Sequence, residues 1–129
     1  MMGPRMLRLV WIVLAAMLWL PAGAQAHAHH TAQSAHADLA IISVAELPPQ
    51  ARDTLRAIKD GGPFAYPRDG VVFGNYERAL PKRPRGYYHE YTVKTPGARN
   101  RGARRIISGE PGEYYYTADH YKIFKRIQE

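Results

Sequence analysis

The sequence lacks cysteine, has few acidic residues and contains no very long hydrophobic run. The absence of cysteine among 129 residues excludes disulfides, thiol catalysis and cysteine-ligated zinc. Only 11 acidic residues oppose 18 basic ones, and the formal net charge is +7. A polyanion is therefore an expected partner, and charge alone leaves nucleic acid, anionic lipid and acidic polysaccharide open. The length suits one domain, which can bury enough surface to fold without disulfides.

The first residues have the outline of a secretory signal peptide. Arg5 and Arg8 precede an apolar run of twelve residues, 9–20, which is short for a bilayer core of about 30 Å. Residues 24–26 (AQA) match the small-x-small pattern of a cleavage site. We therefore predict a signal peptide over residues 1–26, with an uncleaved membrane anchor as the alternative. The product would be secreted or periplasmic, without a membrane association after cleavage.

Residues 27–40 form a small, polar segment that is rich in histidine. His27, His29 and His30 lie close together in it, so a metal-binding tract is one interpretation. A flexible leader between the signal peptide and the folded domain is the other, and we favour it. This division leaves residues 41–129 as the domain.

The domain begins with one convincing helix. Residues 47–49 (LPP) can open it, because proline is tolerated in a first helical turn. Ala51, Leu55 and Ile58 share one face at helical spacing. Residues 60–63 (DGGP) end it, since glycine supports a left-handed cap and proline cannot continue the helix.

Short strand patterns separated by turns fill the rest of the domain. In the segment 87–94, strict alternation places Tyr87, His89, Tyr91 and Val93 on one face and Glu90 on the other. The first set is more apolar, so we expect it to face the helix. The pattern predicts an α+β fold, in which one N-terminal helix packs on a twisted antiparallel β-sheet. The strand candidates are residues 41–44, 71–73, 87–94, 104–108, 114–117 and 121–127.

The most informative stretch, residues 87–105, reads YYHEYTVKTPGARNRGARR. RNA supplies its own nucleophile, the 2′-hydroxyl, so its cleavage needs only a base, an acid and a cationic clamp. Glu90 is the candidate base, and His120, in a later loop, is the candidate acid. Arg105 and Arg101 are the candidate phosphate ligands, because guanidinium groups match phosphate oxygens. This chemistry requires neither a metal nor a cofactor, and we predict none.

Each of these residues has a plainer interpretation when it is taken alone. A single glutamate on a strand is commonly a solvated surface residue, and arginine clusters often serve solubility or general anion binding. A basic RNA-binding module without catalysis is therefore the alternative function, and an interbacterial ribonuclease toxin is a further one. The joint presence of Glu90 and His120 favours an enzyme, because a binding module has no need of an acid–base pair.

Four segments between residues 47 and 127 resemble the small secreted bacterial guanyl-specific ribonucleases, the family that includes barnase. They read LPPQARDTL, GPFAYPRDGVVFGNYE, GYYHEYTVKTPGARNRGARRII and YYYTADHY. The resemblance implies the microbial ribonuclease fold and an endoribonuclease that cuts single-stranded RNA 3′ of guanosine through a 2′,3′-cyclic phosphate. It implies the same roles for Glu90, His120, Arg105 and Arg101, and makes Tyr121 an aromatic lining of the site.

The resemblance also implies a guanine site at Phe73, Asn75, Tyr76 and Glu77. The Glu77 carboxylate would accept from guanine N1–H and the 2-amino group, while backbone amides at the Asn75 turn would hold the base. Related sequences often carry Gln and Arg where this chain has Gly74 and Tyr76, and Tyr76 could stack on the base instead. The resemblance further implies an acidic, barstar-like inhibitor protein as a partner, and we expect a monomer.

Overall fold

The computed structural model describes residues 39–129, so the predicted signal peptide and residues 27–38 of the predicted leader lie outside the described residues. No helix in the described part of the chain is long and apolar enough to cross a bilayer. The elements are, in order, β1 (Ala40–Ser43), a 3-10 turn (Val44–Glu46), α1 (Pro49–Asp60), β2 (Val72–Phe73), β3 (Tyr88–Thr92), β4 (Arg105–Ser108), β5 (Tyr114–Thr117) and β6 (Lys125–Gln128).

The six strands form one sheet in the order β1-β6-β5-β4-β3-β2. Four of the five pairings are antiparallel, and the predicted α+β fold with one helix on the sheet is confirmed. The exception is β1, which runs parallel to β6 and pairs Ile42 with Ile127. Parallel neighbours need a long crossover connection. Helix α1 and the four strands after it provide that connection, which local pattern could not reveal.

Helix α1 begins and ends where its sequence signals predict. Pro49 is its first residue, and Gly61 ends it in the left-handed region at φ 76°. The amides of Gly61 and Gly62 donate to the carbonyls of Ile58 and Ala57 at 3.2 and 2.8 Å. These bonds satisfy carbonyl groups that a helix end otherwise leaves without partners.

The sheet is buried on both faces. The face under α1 holds Leu47, Ala51, Leu55, Val93, Ile106, Tyr114, Tyr116 and Ile127. The opposite face holds a second cluster, Leu80, Tyr88, Ile107, Tyr115 and Phe124. Val93 faces the helix, as the alternation predicts. Tyr87 packs instead beside the second cluster, because it precedes the first residue of β3 and escapes the alternation.

The last strand is shorter than its sequence pattern predicts. Residues 121–127 read as one strand, yet β6 begins only at Lys125. The cause is a turn in which His120 and Tyr121 have φ values of 59° and 70°. Two consecutive left-handed residues cannot continue an extended strand.

A carboxylate with two tyrosine donors fixes one end of the second cluster. Tyr87 and Tyr115 donate hydrogen bonds to the Glu113 carboxylate at 2.5 and 2.6 Å. Burial of Glu113 opposes its ionisation, but the bonds from Tyr115 and Tyr87 outweigh burial and lower its pKa below the ordinary value of 4.5. The pKa of Tyr115 is raised, first by burial and then by the bond to Glu113.

We expect Glu113→Gln to lower the free energy of unfolding by about 1–2 kcal/mol at about pH 7, because an amide is a weaker acceptor than a carboxylate. A folded-state pKa below 4.5 means that the ionised group contributes stability above that pH, and that this contribution is lost as the pH falls further. Urea denaturation at about pH 7 and about pH 3 should show the deficit shrinking in acid. Glu110→Gln, at an exposed neighbour, is the control. An equal deficit at both pH values would contradict this account.

Candidate active site

Two strands carry charged side chains on the sheet face away from the helix. In the β3–β4 pairing, Glu90 lies opposite Ile107 and Arg105 lies opposite Thr92. Glu90 and Arg105 are therefore diagonal neighbours on one face, which the pairing register determines. Both are buried, with 6% and 3% of their surfaces exposed. Charged groups this deeply buried require partners.

The Glu90 carboxylate has three polar neighbours. Arg101 donates from Nη2 to Oε1 at 3.2 Å and from Nε to the Thr92 hydroxyl at 3.0 Å. Arg68 Nε lies 3.7 Å from the same Oε1, with most of its side chain in solvent. The Tyr121 hydroxyl donates to Oε2. Two guanidinium groups thus offset the charge of Glu90, while a hydroxyl fixes its orientation.

The Arg105 guanidinium is held in place by backbone carbonyls. Its Nη1 donates to the carbonyls of Arg104, Gly102 and Arg101 at 2.8, 3.0 and 3.4 Å. Its Nε donates to the Tyr121 hydroxyl at 3.2 Å. Within residues 39–129 the Nη2 nitrogen forms no hydrogen bond, so it remains the donor that can meet an anion.

A strained turn brings His120 and Tyr121 to this face. Both residues are left-handed, which is costly for residues other than glycine. Asp119 Oδ1 accepts from the Thr117 hydroxyl at 2.9 Å and from the Lys122 and Ile123 amides at 3.2 and 2.9 Å. These bonds, led by the one from Ile123, lower the pKa of Asp119. The His120 amide donates to the Ala103 carbonyl at 3.0 Å. This bond joins the turn to the loop between β3 and β4.

These elements enclose a cavity of about 370 Å³. It brings together seven of the residues singled out in the sequence: Phe73, Asn75, Tyr76, Glu77, Glu90, His120 and Tyr121. Arg101 and Arg105 do not line it. They lie behind it, where they contact Glu90 and Tyr121. One surface therefore offers a carboxylate, an imidazole and a potential base-binding loop.

The loop after β2 is held by the side chain of Asn75. Its Nδ2 donates to the Leu80 carbonyl at 2.8 Å, and its Oδ1 accepts from the Leu80 amide at 3.0 Å. Asn75 itself is left-handed, at φ 52°. Because its side chain bonds within the loop, the predicted base contacts at this position are left to the backbone and to Glu77. Phe73 stacks on Tyr121 with ring centroids 5.2 Å apart, so it supports the cavity wall.

Gly74 and Tyr76 are physically coupled. A Cβ atom added to Gly74 would lie 2.4 Å from Cε2 of the Tyr76 ring, a separation that no real side chain tolerates. The ring therefore occupies the space that a side chain at position 74 would need. The Tyr76 ring is otherwise free in solvent, with 83% of the residue exposed. The two positions at which this chain departs from related sequences form one unit.

Sequence reasoning missed three polar residues of the site. Arg68 reaches Glu90 because the segment before β2 pairs with Glu90 itself: the Glu90 amide donates to the Val71 carbonyl at 2.9 Å. That register has no local signal. Thr92 is the partner of Arg101, and only the strand pairing shows it. Asp119 had a signal, because aspartate before a turn commonly accepts from amides two to four residues on.

Comparison with known proteins identifies the family. A ribonuclease family model matches residues 29–128, and the chain therefore belongs to the ribonuclease family. It is 56% identical over 84 residues to guanyl-specific ribonuclease St of Saccharopolyspora erythraea, covering 65% of this chain and 83% of that protein. It is 57% identical over 89 residues to guanyl-specific ribonuclease Sa of Kitasatospora aureofaciens, covering 68% of this chain and 93% of that protein.

Solved structures support the same relationship. Ribonuclease Sa2 bound to guanosine-2′-cyclophosphate is 52% identical with a TM-score of 0.67, covering 70% of this chain and 96% of that chain. Ribonuclease Sa2 with 3′-GMP is 51% identical with a TM-score of 0.65, covering 70% of this chain and 97% of that chain. The fold is therefore that of the microbial ribonucleases.

We expect Asp119→Ala to slow RNA cleavage by about tenfold or more, because it removes the acceptors that hold the His120 turn and misplaces a group at the reacting site. Asp119→Asn should recover much of the rate, since its amide oxygen can accept the same bonds. Initial rates on RNA and the NMR signals of the His120 ring provide the measurements. Wild-type rates and unchanged ring signals in Asp119→Ala would show that the turn needs no such support.

Proposed function

We propose that this protein is a guanyl-specific endoribonuclease that cleaves RNA 3′ of guanosine through a 2′,3′-cyclic phosphate, without a metal. The observation that carries this proposal is one cavity lined by Glu90, His120 and the loop residues 73–77. The names of its relatives, guanyl-specific ribonucleases St and Sa, give the same specificity. The Sa2 complexes with guanosine-2′-cyclophosphate and 3′-GMP fit a reaction through a cyclic intermediate.

In this proposal Glu90 is the general base. Its carboxylate would take the proton of the 2′-hydroxyl as the oxygen attacks the adjacent phosphorus. Each carboxylate oxygen can accept two hydrogen bonds, so the bonds from Arg101 and Tyr121 leave room for the substrate hydroxyl. Those bonds also hold the carboxylate in one orientation, which a proton transfer in the transition state requires.

His120 is the proposed general acid. It lines the cavity that Glu90 also lines, and its side chain is exposed to the incoming substrate. It would protonate the departing 5′-oxygen, and in the second step it would activate the water that opens the cyclic phosphate. Negative charge builds on the phosphate oxygens during both steps. The Arg105 Nη2 donor and the Arg101 and Arg68 guanidinium groups would stabilise that charge.

Guanine selection would rest on Glu77 and the backbone of the loop. Guanine alone presents N1–H and a 2-amino group as adjacent donors, so a single carboxylate can discriminate it from adenine. Tyr76 provides an exposed ring beside the cavity on which the base can stack. Phe73 supports the cavity from behind through its stack with Tyr121.

The setting of the reaction follows from the sequence and the charge. The signal-peptide pattern of residues 1–26 supports secretion or release into the periplasm. An active ribonuclease endangers its own cell, so the proposal includes an acidic, barstar-like inhibitor that binds the basic surface. Cleavage after residue 26 removes Arg5 and Arg8 and leaves a net charge of +5, which favours such a complex as it favours RNA.

The catalytic roles predict two losses of activity. His120→Ala and Glu90→Gln should each slow cleavage by about 10² or more, the usual contribution of one acid or base. Rates on defined RNA oligonucleotides in excess EDTA test this, with the cyclic guanosine phosphate identified by mass spectrometry. Wild-type rates in either variant would remove that residue from its role, and full inhibition by EDTA would refute the metal-free mechanism.

The contact between Gly74 and Tyr76 predicts a context-dependent substitution. Gly74→Gln should displace the Tyr76 ring and lower the preference for guanosine over adenosine, because the stacking surface moves. The double variant Gly74→Gln/Tyr76→Arg, which has the residues common in related sequences, should restore the preference. The ratio of kcat/KM on GpU and ApU measures it in a double-mutant cycle. Additive effects of the two substitutions would show that the ring has no part in recognition.

A further inference from the structure

A second cavity lies against the loop that borders the catalytic one. It measures about 310 Å³ and shares Phe73, Gly74, Asn75 and Tyr76 with the catalytic cavity. Neither Glu90 nor His120 lines it. The rest of its wall consists of Arg78, Lys82, Arg83, Pro84, Arg85 and Tyr88. The Tyr76 ring thus borders both cavities.

This second cavity is strongly basic. Its wall contains four cationic side chains and no carboxylate. In the part of the chain that the structure describes, no acidic group forms an ion pair with Arg78, Lys82 or Arg85. The Arg83 guanidinium lies 5.4 Å from the centre of the Tyr87 ring. Three like charges that have no ion pair within residues 39–129 repel one another, so this wall favours a bound polyanion.

The loop that carries these cations is anchored at both ends. Leu80 is only 2% exposed, and Asn75 bonds to its backbone on both sides. The Tyr88 hydroxyl donates to the Pro81 carbonyl at 2.6 Å, and the Tyr87 amide donates to the Pro84 carbonyl at 3.1 Å. The charges between these anchors are therefore presented at a fixed position beside the base-recognition loop.

We propose that this cavity is a subsite for the RNA that precedes the cleaved guanosine on its 5′ side, an inference that rests on the proposed function. The guanosine 3′-phosphate is directed toward Glu90 and His120, on one side of the loop. The RNA attached to the 5′-oxygen of the same guanosine is then free to cross Tyr76 to the other side. There Lys82, Arg83 and Arg85 meet its phosphates, and Tyr76 offers a ring to a neighbouring base.

Single-stranded RNA fits this wall better than an acidic protein does. Guanidinium forks match phosphate oxygens in pairs, and exposed aromatic rings accept any base. The shared rim makes the two cavities continuous for one strand of RNA. Each phosphate neutralised should appear as added salt dependence, about 0.7 in the slope of log K against log salt.

The test compares kcat/KM for GpU, for UpUpGpU and for GpUpUpU. For the wild type, kcat/KM should be higher for UpUpGpU than for GpU. In the variant Lys82→Gln/Arg83→Gln/Arg85→Gln this gain should be roughly tenfold smaller, and kcat/KM for UpUpGpU should depend less steeply on salt concentration. The ratio for the 3′ extension should follow the wild type. The matched control is Arg56→Gln/Lys125→Gln/Arg126→Gln, which removes the same charge outside both cavities. Its 5′ gain should stay at the wild-type level.

The outcomes distinguish a failure of the proposed subsite from a failure of the proposed function. Cleavage of GpU without any gain from the 5′ extension overturns the subsite and leaves the ribonuclease intact. An unchanged gain in the triple variant also overturns the subsite, and favours an acidic protein as the partner of these cations. Failure of the wild type to cleave any of the three oligonucleotides overturns the proposed function itself. Thermal melts confirm folding, and Lys82→Glu alone provides a second test if the triple variant melts early.

Discussion

The active face depends on one buried carboxylate that must be compensated. Glu90 lies at the centre of the sheet, 6% exposed, where an unpartnered charge would cost several kcal/mol. Arg101 offsets its charge, and the Tyr121 hydroxyl connects it to the equally buried Arg105. The left-handed turn at residues 120 and 121 is the conformation that delivers Tyr121 to this position. The same turn places His120 over the cavity, so compensation of a charge and assembly of the site have one cause.

The two cavities give the loop after β2 a central place in the molecule. Its conformation is set by Asn75 within the loop and by Tyr88 beneath it, not by contact with the catalytic groups. The proposed base-recognition loop and the proposed catalytic groups therefore have separate supports that meet at one rim. This separation lets positions 74 and 76 differ from related sequences without disturbing the bonds around Glu90.

Elements encoded by local pattern were predictable, and elements set by distant contacts were not. The proline start, the Gly61 cap and the apolar spacing fix helix α1 within the chain itself. Strand alternation placed Glu90 on the face away from the helix, because the period of a strand is a local property. The shared face of Glu90 and Arg105, the parallel β1–β6 pairing and the approach of Arg68 depend on partners elsewhere in the sequence. The turn at Tyr121 was hidden because tyrosine is a strand former.

The pairing of β1 with β6 has a consequence for the order of events during synthesis. Of the strands that the structure describes, the first, Ala40–Ser43, has the last, Lys125–Gln128, as its neighbour. Ile127 of that last strand also belongs to the apolar layer beneath helix α1. While β6 is still within the ribosome, this layer is incomplete and β1 has no partner, since such distant contacts form only after a large loop has closed. A nascent chain therefore completes this apolar layer, and with it the fold, only after translation has passed β6.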